Sequence, residues 1–546
     1  MTRFCLGRGT SSLWNLAQVV SRHPPQRNFP HMNDESLGSR GIDRFLQIVA
    51  IILFVIFAVI AYGHVFSNGL CCADDSTFAT VAKNLAFGKG YVESTPLDGS
   101  IGLRPFDPAI GTGPTVIIPA AALVYVVGNV PWAPGFATAT ISLSLLLFLA
   151  FILLRSTSGG GAYVCTSILL LYSLTAGIHF EHWYSLLGET PAALLCVAGA
   201  GVLARHPQRR SSILVASLLY GLALMTKLLS LLAFIPTAGW LLFKAMRIQD
   251  RSRHLVNCVL GAIAFATPFA LFEVWKVGVL GPHLYRQNTM EFLGFFKAQS
   301  TAANGGLGNI AAVIMQALNR YSSNSAVMQQ RFGFSPVTLL LVGALAVCLV
   351  WRYADSHFIK LFCLFLVTAA LTEISWWLLI SNGWPRYALI GLLLYFFAVS
   401  CAVFVKRSWL ITSSITALLL MIFFPGYSRF SDPIRFVLKY RYAYTPRLTN
   451  LLSTVRFLGE VQHDQPFVMG IWSTGSDIEY SLPTVGNFIR YDHVPKDREG
   501  GAILVRNKIW VDFQPMPEFT AWEEKCDETL WDAPPYVVSR CPGSTR

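Results

Sequence analysis

The sequence is poor in charge, and this scarcity excludes most classes of soluble protein. Asp, Glu, Lys and Arg make up 13% of the 546 residues, whereas hydrophobic residues make up 53% and the mean hydropathy is +0.50. An ordinary soluble domain has about 25% charged residues. A bilayer core of about 30 Å needs roughly 20 apolar residues per helix, and several runs here reach that length. The chain is therefore predicted to be a polytopic membrane protein.

Several motifs that would indicate other functions are also missing. The eleven cysteines contain no CxxC pair, and no Cys/His spacing suits a zinc site. No GxGxxG motif is evident, no repeat of fixed period occurs, and no basic stripe interleaved with aromatic residues accompanies the net charge of +12. The basic residues are better explained as signals of membrane orientation than as a nucleic-acid surface.

Eleven apolar runs are predicted to span the membrane in an all-α arrangement. Basic residues recur in every second connection, which places those connections and the N-terminus in the cytoplasm and the C-terminus outside. The predicted spans are about 46–68, 134–154, 162–180, 189–204, 211–226, 228–243, 254–276, 335–352, 358–380, 387–405 and 408–424. The basic residues concerned are Arg155, Arg205, Arg209, Arg210, Lys244, Arg247, Arg251, Arg253, Arg352, Lys360, Lys406 and Arg407.

The remaining segments define three predicted regions. Residues 1–45 form a cytoplasmic tail, 46–424 the transmembrane domain and 425–546 a small external domain of mixed α+β structure, and Met32 is an alternative start. The apolar but Pro- and Gly-interrupted stretch 111–132 is assigned to the first external loop as an interfacial or re-entrant piece. Residues 277–334 are predicted to be another external loop. Cys526 and Cys541, in the polar tail, can pair in an oxidising compartment.

The first external loop begins with two adjacent aspartates, Asp74 and Asp75. They precede a predicted amphipathic helix, 74–87, whose apolar face holds Phe78, Val81, Ala82 and Leu85, with Lys83 opposite. An aspartate at this place is most simply a helix cap. Two in a row repel each other and need a cation, a metal or a substrate hydroxyl as partner, which favours a functional interpretation.

Other charged residues are predicted to share the external face with the two aspartates. A second acidic group surrounds the start of one span, and three cations occur in external loops or breaks. Each alone has a simpler explanation, such as a helix-start glutamate, an interfacial histidine or a lysine reaching the headgroups. Together they describe a site for an anionic leaving group, most naturally a phosphate, opposite a general base. The residues are Glu181, His182, Glu189, Arg104, Lys227 and Arg386.

Four motifs occur in the order known from one family of membrane enzymes. The sequence resembles the GT-C class of glycosyltransferases, in the subgroup with the protein O-mannosyltransferases, the aminoarabinose transferases and the RgtA/B/C/D-like transferases. The similarity covers about residues 45–405. The motifs are "DDSTFATVAKNLAFGKGY" (74–91), "LLGETPAALL" (186–195), "GLALMTKLLSLLAFIP" (221–236) and "WPRYALIGLLL" (384–394).

The resemblance implies an inverting transferase that takes its sugar from a polyprenyl-phosphate carrier at the outer face. Asp74 or Asp75 would accept the proton of a hydroxyl acceptor on a lipid, glycan or protein, with Glu189 as a further catalytic carboxylate. Lys227, with Arg104 or Arg386, would meet the phosphate, and Glu181 and His182 would contact the substrate. A divalent metal held by Asp74, Asp75 and Glu189 is compatible with these ligand types.

Two alternatives from other classes remain open at this point. A flippase for lipid-linked sugars, or another transporter, would also place charges near the outer boundary, although Glu373 is the main mid-membrane charge and the two halves show no matching interrupted spans. A non-enzymatic scaffold would use the C-terminal tail to bind a partner. The lack of large inserted external modules favours a bacterial inner membrane.

Overall fold

The computed structural model describes most of the chain, which divides into two units, Met1–Phe45 and Leu46–Arg546. All residues of the candidate site belong to the second unit. The described residues are 37–94, 102–106, 111–157, 159–175, 180–247, 251–299, 310–404, 427–440, 443–460, 467–469, 475–484, 488–490, 502–508, 521–526 and 528–541.

Helices dominate the described part of the chain. They are α1 (Leu37–Asn68), α2 (Ala73–Ala86), α3 (Pro114–Val127), α4 (Ala133–Ser156), α5 (Gly159–Thr175), α6 (Glu189–Arg205), α7 (Arg210–Thr226), α8 (Leu231–Arg247), α9 (Arg251–Gln299), α10 (Ile310–Phe332), α11 (Pro336–Tyr353), α12 (His357–Leu379), α13 (Leu389–Ser400), α14 (Tyr427–Tyr440), α15 (Pro446–Glu460) and α16 (Ser476–Ser481). Short 3-10 segments at Leu228–Ser230, Pro385–Ala388 and Cys401–Phe404 adjoin α8 and α13.

Seven of the described helices are long and apolar enough to cross a membrane, and three shorter apolar helices accompany them. The helical, multi-pass character predicted from hydropathy is confirmed. The count of eleven spans stays a prediction, because the predicted span 408–424 lies outside the described residues.

The helix α6 lies at the centre of the helical core. Nearly all of its residues are buried, and it packs against α4, α7, α12 and α13. Small residues allow this close packing: a side chain at Gly199 would come within 3.0 Å of the Tyr220 ring on α7. A helix that is apolar on every side is expected in such a position. Its first residue, Glu189, is thereby held at the end of a fixed element.

Two predicted external segments turn out to be mostly helical. The stretch 111–132 contains α3, which packs between α2 and α4. The predicted external connection 277–334 is also largely helical where it is described: α9 continues to Gln299 after a break at Gly281 (φ 73°), and α10 begins at Ile310. Mean hydropathy falls in this region, but residues that favour a helix continue. Hydropathy therefore shows where a membrane span ends, and it does not show where the helix ends.

The C-terminal part contains a five-stranded sheet of mixed direction. Its strands are β3 (Phe467–Met469), β4 (Phe488–Arg490), β5 (Ala502–Asn507), β6 (Glu528–Ala533) and β7 (Tyr536–Cys541), in the order β4-β3-β5-β7-β6. Strands β4, β3 and β5 are parallel, and β5, β7 and β6 are antiparallel. The runs 465–472 and 501–513, predicted as strands, contain β3 and β5. A disulfide joins Cys526 to Cys541.

The first loop and the C-terminal part are joined through Lys83 on α2. The sequence pattern places Lys83 opposite the apolar face, but its side chain is fully buried. Its ammonium donates to the carbonyl oxygens of Leu482 at 3.1 Å and Thr484 at 3.0 Å, and to that of Glu479. Burial lowers the pKa of Lys83 to about 8, while the Glu479 carboxylate acts to raise it, so most of the charge remains at neutral pH.

Asn129 and Tyr480 complete this junction. The Asn129 amide donates to the carbonyls of Tyr480, Ser481 and Leu482 at 2.9–3.1 Å, and the Tyr480 hydroxyl donates to the Val130 carbonyl at 3.0 Å. Donors from the first loop therefore satisfy the free carbonyls at the end of α16, as a helix C-terminus requires.

Replacing Lys83 by methionine is expected to weaken this junction by about 2 kcal/mol, because buried carbonyls lose their donor. The measurement is the apparent melting temperature in detergent, together with limited proteolysis of the C-terminal part. Lys89→Met is the matched control, since Lys89 is exposed just beyond the end of the same helix. Equal melting temperatures for the two variants would contradict the assigned role of Lys83.

Candidate active site

Three breaks between helices meet at one point and form the frame of the candidate site. The Gly113 N–H donates to the Thr226 carbonyl at 3.0 Å, and the Thr112 hydroxyl donates to the Leu187 carbonyl at 2.9 Å. A Cβ at Gly113 would lie 1.7 Å from the Met225 carbonyl oxygen, so only glycine allows this approach of two backbones. The segments before α3, before α6 and after α7 are thereby locked together.

A buried ion pair between Glu189 and Lys227 lies within this frame. The Lys227 ammonium is 3.1 Å from Glu189 Oε1 and donates to the Leu187 carbonyl at 3.0 Å. On the other side, His182 Nδ1 is 3.2 Å from Glu189 Oε2. Glu189 is fully buried, and its charge is compensated by these neighbours rather than by water.

A second ion pair joins Asp74 to Arg386 and remains open to solvent. The Arg386 Nη1 group donates to Asp74 Oδ2, and the side chains are 20% and 37% exposed respectively. The guanidinium carbon lies 4.9 Å and 5.1 Å from the ring centroids of Trp384 and Tyr387. Arg386 also interacts electrostatically with Glu189, which connects the two ion pairs into one cluster.

Asp75 has a different environment from its neighbour Asp74. It is 1% exposed, and its two oxygens accept hydrogen bonds from the backbone N–H groups of Cys71 at 2.8 Å and Leu186 at 2.7 Å. Burial raises the pKa of Asp75, and these hydrogen bonds act to lower it. The carboxylate therefore ties the start of α2 to the turn before α6.

The helix-cap interpretation of the two aspartates is wrong. The N-cap residue of α2 is Cys72, which makes no side-chain capping hydrogen bond. Asp75 instead accepts from a residue before the helix and from a turn more than one hundred positions away. Sequence periodicity cannot reveal such a contact, because the partner is a backbone N–H group that any residue carries.

Two other predicted site residues lie outside the cluster. Arg104, on the strand β2 (Leu103–Pro105), pairs with Glu291 of α9 at 3.0 Å and contacts none of the cluster carboxylates among the described residues. β2 pairs with β1 (Val92–Ser94) in the first loop. Glu181 is exposed on the turn before α6, beside His182. The structure thus brings together Asp74, Glu189, Lys227, His182 and Arg386.

A basic residue that sequence reasoning missed lies beside the site. Arg447 of α15 donates through Nη2 to the Leu70 carbonyl at 2.5 Å and lies 4.0 Å from Asp477. It also interacts electrostatically with Asp75 and Glu181. The C-terminal part therefore supplies charge to the first loop. The tail matches no motif of the family resemblance, so no signal in the sequence distinguishes this arginine.

The carboxylates do not converge on a common metal position. Asp75 directs its oxygens to two backbone N–H groups, Glu189 to Lys227 and His182, and Asp74 to Arg386. Within the described ranges, no three His, Cys, Asp or Glu side chains form a group that could hold a metal ion. The arrangement described does not fit the divalent metal considered from the ligand types.

Comparison with solved structures identifies the fold. ArnT from Cupriavidus metallidurans, an aminoarabinose transferase, matches in its apo state with a TM-score of 0.52 and 12% identity, over 90% of this chain and 97% of that chain. ArnT bound to undecaprenyl phosphate matches with a TM-score of 0.53 and 12% identity, over 92% and 98%. The chain has the GT-C fold. No family model and no curated protein sequence matches it.

This is the fold that the resemblance of the four motifs implies. At 12% identity the likeness establishes the architecture and not the reaction.

The two aspartates are expected to respond differently to substitution. Asp75→Asn places an amide NH2 against one of two N–H donors, and we expect a loss of about 2 kcal/mol in the free energy of unfolding. Asp74→Asn, at a half-exposed position, is expected to change it by about 0.5 kcal/mol or less. Apparent melting temperatures in one detergent compare the two, and similar losses would contradict the distinction.

Breaking the buried ion pair from one side is expected to be costly. Glu189→Gln and Lys227→Met should each destabilise the protein by about 3–5 kcal/mol, because each leaves an uncompensated buried charge. The double variant should lose less than the sum of the two single losses. Melting temperatures of all four proteins form the double-mutant cycle, and strict additivity would show that the pair does not interact.

Proposed function

We propose that this chain is an integral-membrane glycosyltransferase that moves a sugar from a polyprenyl-phosphate carrier to a hydroxyl acceptor, with inversion. The observation that carries the proposal is the half-exposed Asp74 carboxylate held by Arg386 at the mouth of a buried charged cluster. A base that solvent reaches and a cation suited to phosphate stand side by side. The GT-C fold, shared with ArnT bound to undecaprenyl phosphate, supports the class of donor.

Arg386 has donor capacity beyond its bond to Asp74. Nη1 binds the carboxylate, Nη2 makes a 3.5 Å contact to the Tyr387 hydroxyl, and Nε has no hydrogen-bond partner among the described residues. The Nε and Nη2 donors form the planar fork that binds two phosphate oxygens. We therefore propose that Arg386 holds Asp74 and a phosphate at once.

The proposed reaction is a single displacement at the anomeric carbon. Asp74 accepts the proton of the acceptor hydroxyl while the acceptor oxygen forms a bond to sugar C1. The bond from C1 to the phosphate oxygen breaks on the opposite face, and polyprenyl phosphate leaves with both electrons. Arg386 stabilises the charge that develops on the phosphate. Proton acceptance by a positioned carboxylate contributes about 100-fold or more.

Glu189, Lys227 and His182 are proposed to position these groups. Glu189 is fully buried and is bound by Lys227 and His182. It therefore stabilises the charge of Arg386 electrostatically and does not touch the acceptor. Lys227 is assigned to Glu189 in place of the phosphate role considered from sequence. Glu181 and Arg104, outside the cluster, are proposed to contact parts of the substrates away from the reacting atoms.

The active face is proposed to be the external, periplasmic side of a bacterial inner membrane. The alternation of basic residues supports this orientation, because Arg205, Arg209 and Arg210 lie at the opposite ends of the helices that carry Glu189 and Lys227. The disulfide between Cys526 and Cys541 is consistent with an oxidising compartment for the C-terminal part.

The proposal predicts that sugar transfer depends on Asp74 and on the shape of the Arg386 side chain. Reconstituted protein is supplied with polyprenyl-phosphoryl sugars and hydroxyl acceptors, and product is followed by mass spectrometry. Asp74→Asn and Arg386→Gln should each lower the rate by about 100-fold. Arg386→Lys, which keeps the charge but not the fork, should lower it by about tenfold.

The double variant Glu528→Gln/Arg540→Gln is the matched control, because it removes an exposed ion pair from the C-terminal sheet. Its transfer rate should equal that of the wild type. Equal rates for wild type and Asp74→Asn, or no transfer with any donor, would refute the enzymatic proposal. Movement of a lipid-linked sugar across liposomes without a transfer product would support the flippase.

A further inference from the structure

An open cavity of about 610 Å³ lies at the opposite ends of the helices that carry the candidate active site. Helix α6 separates Glu189 from the connection 206–209 by 17 residues, which is roughly 25 Å. The cavity is therefore a separate feature and shares no residue with the cluster around Glu189. Its lining residues are Gln208, Arg209, Arg210, Ser211, Ser252, Arg253, Val256 and Asn257.

Every charged residue that lines this cavity in the described part of the chain is an arginine. Arg209, Arg210 and Arg253 line it, no Asp or Glu is among its lining residues, and the three arginines form no ion pair among the residues described. Other basic side chains near the same ends of the helices behave differently. Arg155 and Arg247 lie over the Phe151 and Phe243 rings of their own helices, at 5.3 and 4.2 Å.

Two helix starts contribute to the same positive field. α7 begins at Arg210 and α9 at Arg251, both at the edge of the cavity, and neither has an acidic residue in its first turn. The N-cap residue Arg209 makes no side-chain capping bond. The first N–H groups of a helix favour an anion, and here two such ends face one space lined by arginines.

A buried amide provides independent evidence that this cavity is a built site. The Asn257 side chain lines the cavity, is 6% exposed, and has no hydrogen-bond partner among the described residues. An amide without a protein partner at this position offers a donor and an acceptor to a ligand or a water in the cavity. Positive charge alone is common at a cytoplasmic loop, but it does not account for an asparagine buried behind the arginines.

An apolar stripe leads from the cavity along the outer face of α9. Val256, Val259 and Ile263 follow a helical spacing and are 55–59% exposed. Val256 lines the cavity and begins the stripe. Exposed aliphatic residues on a membrane helix contact acyl chains, so the polar cavity and the stripe together match the headgroup and the tail of one molecule.

We propose that this cavity binds the phosphate headgroup of an anionic membrane lipid, with its acyl chain along the stripe. Arg209, Arg210 and Arg253 bind the phosphate oxygens, and the Asn257 amide donates to the ester or headgroup oxygen that reaches furthest in. The site is independent of the proposed transferase reaction and lies in the opposite leaflet from the candidate active site.

The test measures lipid binding to the full chain in phosphatidylcholine nanodiscs doped with phosphatidylglycerol, by native mass spectrometry. The double variant Arg209→Gln/Arg253→Gln should bind the anionic lipid about tenfold more weakly, since it removes charge-assisted hydrogen bonds. Arg155→Gln/Arg247→Gln removes the same charge near the same ends of the helices and should change binding by about twofold or less.

A third variant, Asn257→Leu, separates a built site from general surface charge. It leaves every charge in place and should still weaken binding, by about threefold or more, while the melting temperature is unchanged or raised. Equal losses in the two arginine pairs, or unchanged binding in Asn257→Leu, would overturn the proposal. So would saturable binding of inorganic phosphate in pure phosphatidylcholine discs without selective retention of phosphatidylglycerol, which would indicate a soluble ligand.

Discussion

The buried ion pair of Glu189 and Lys227 is the interaction on which the arrangement of the site depends. Two charges removed from water are stable only when each compensates the other and their remaining donors and acceptors are satisfied. Here that requirement brings together the start of α6 and the end of α7, and the Leu187 carbonyl and His182 complete it. The Gly113 loop closes over the same point, so helices distant in sequence share one rigid corner.

Hydropathy and the alternation of basic residues predict the membrane helices and their orientation, because both patterns can be read along the chain without knowledge of its contacts. A bilayer requires long apolar helices, and the placement of basic residues orients them, so Asp74, Glu189, Lys227 and Arg386 could be assigned to one face before their contacts were known. The four motifs in order indicated the GT-C fold. Their order reflects topology, which persists at identities as low as 12%.

The contacts that could not be predicted are those made with backbone groups or across long sequence distances. Asp75 accepts hydrogen bonds from two backbone N–H groups, Lys83 donates to three carbonyls and Arg447 donates to the Leu70 carbonyl. Every residue type carries such a carbonyl, and all but proline carry the N–H, so the sequence does not show which residues are the partners. The different environments of Asp74 and Asp75 follow from their burial. Adjacent residues on a helix point about 100° apart, so one faces the protein and the other faces water.

The hydrogen bonds between Lys83 and the end of α16 can form only late in the synthesis of the chain. The Lys83 ammonium and its partner carbonyl at Glu479 are 396 positions apart. At a synthesis rate of about 5–20 residues per second, the first loop is complete roughly 20–80 s before its partner emerges. During that interval the Lys83 ammonium lacks its carbonyl partners, whereas the apolar face of α2 can already pack against α3. A newly made chain is therefore open to binding by a holding factor, or to attack by a protease, around Lys83 until α16 is made.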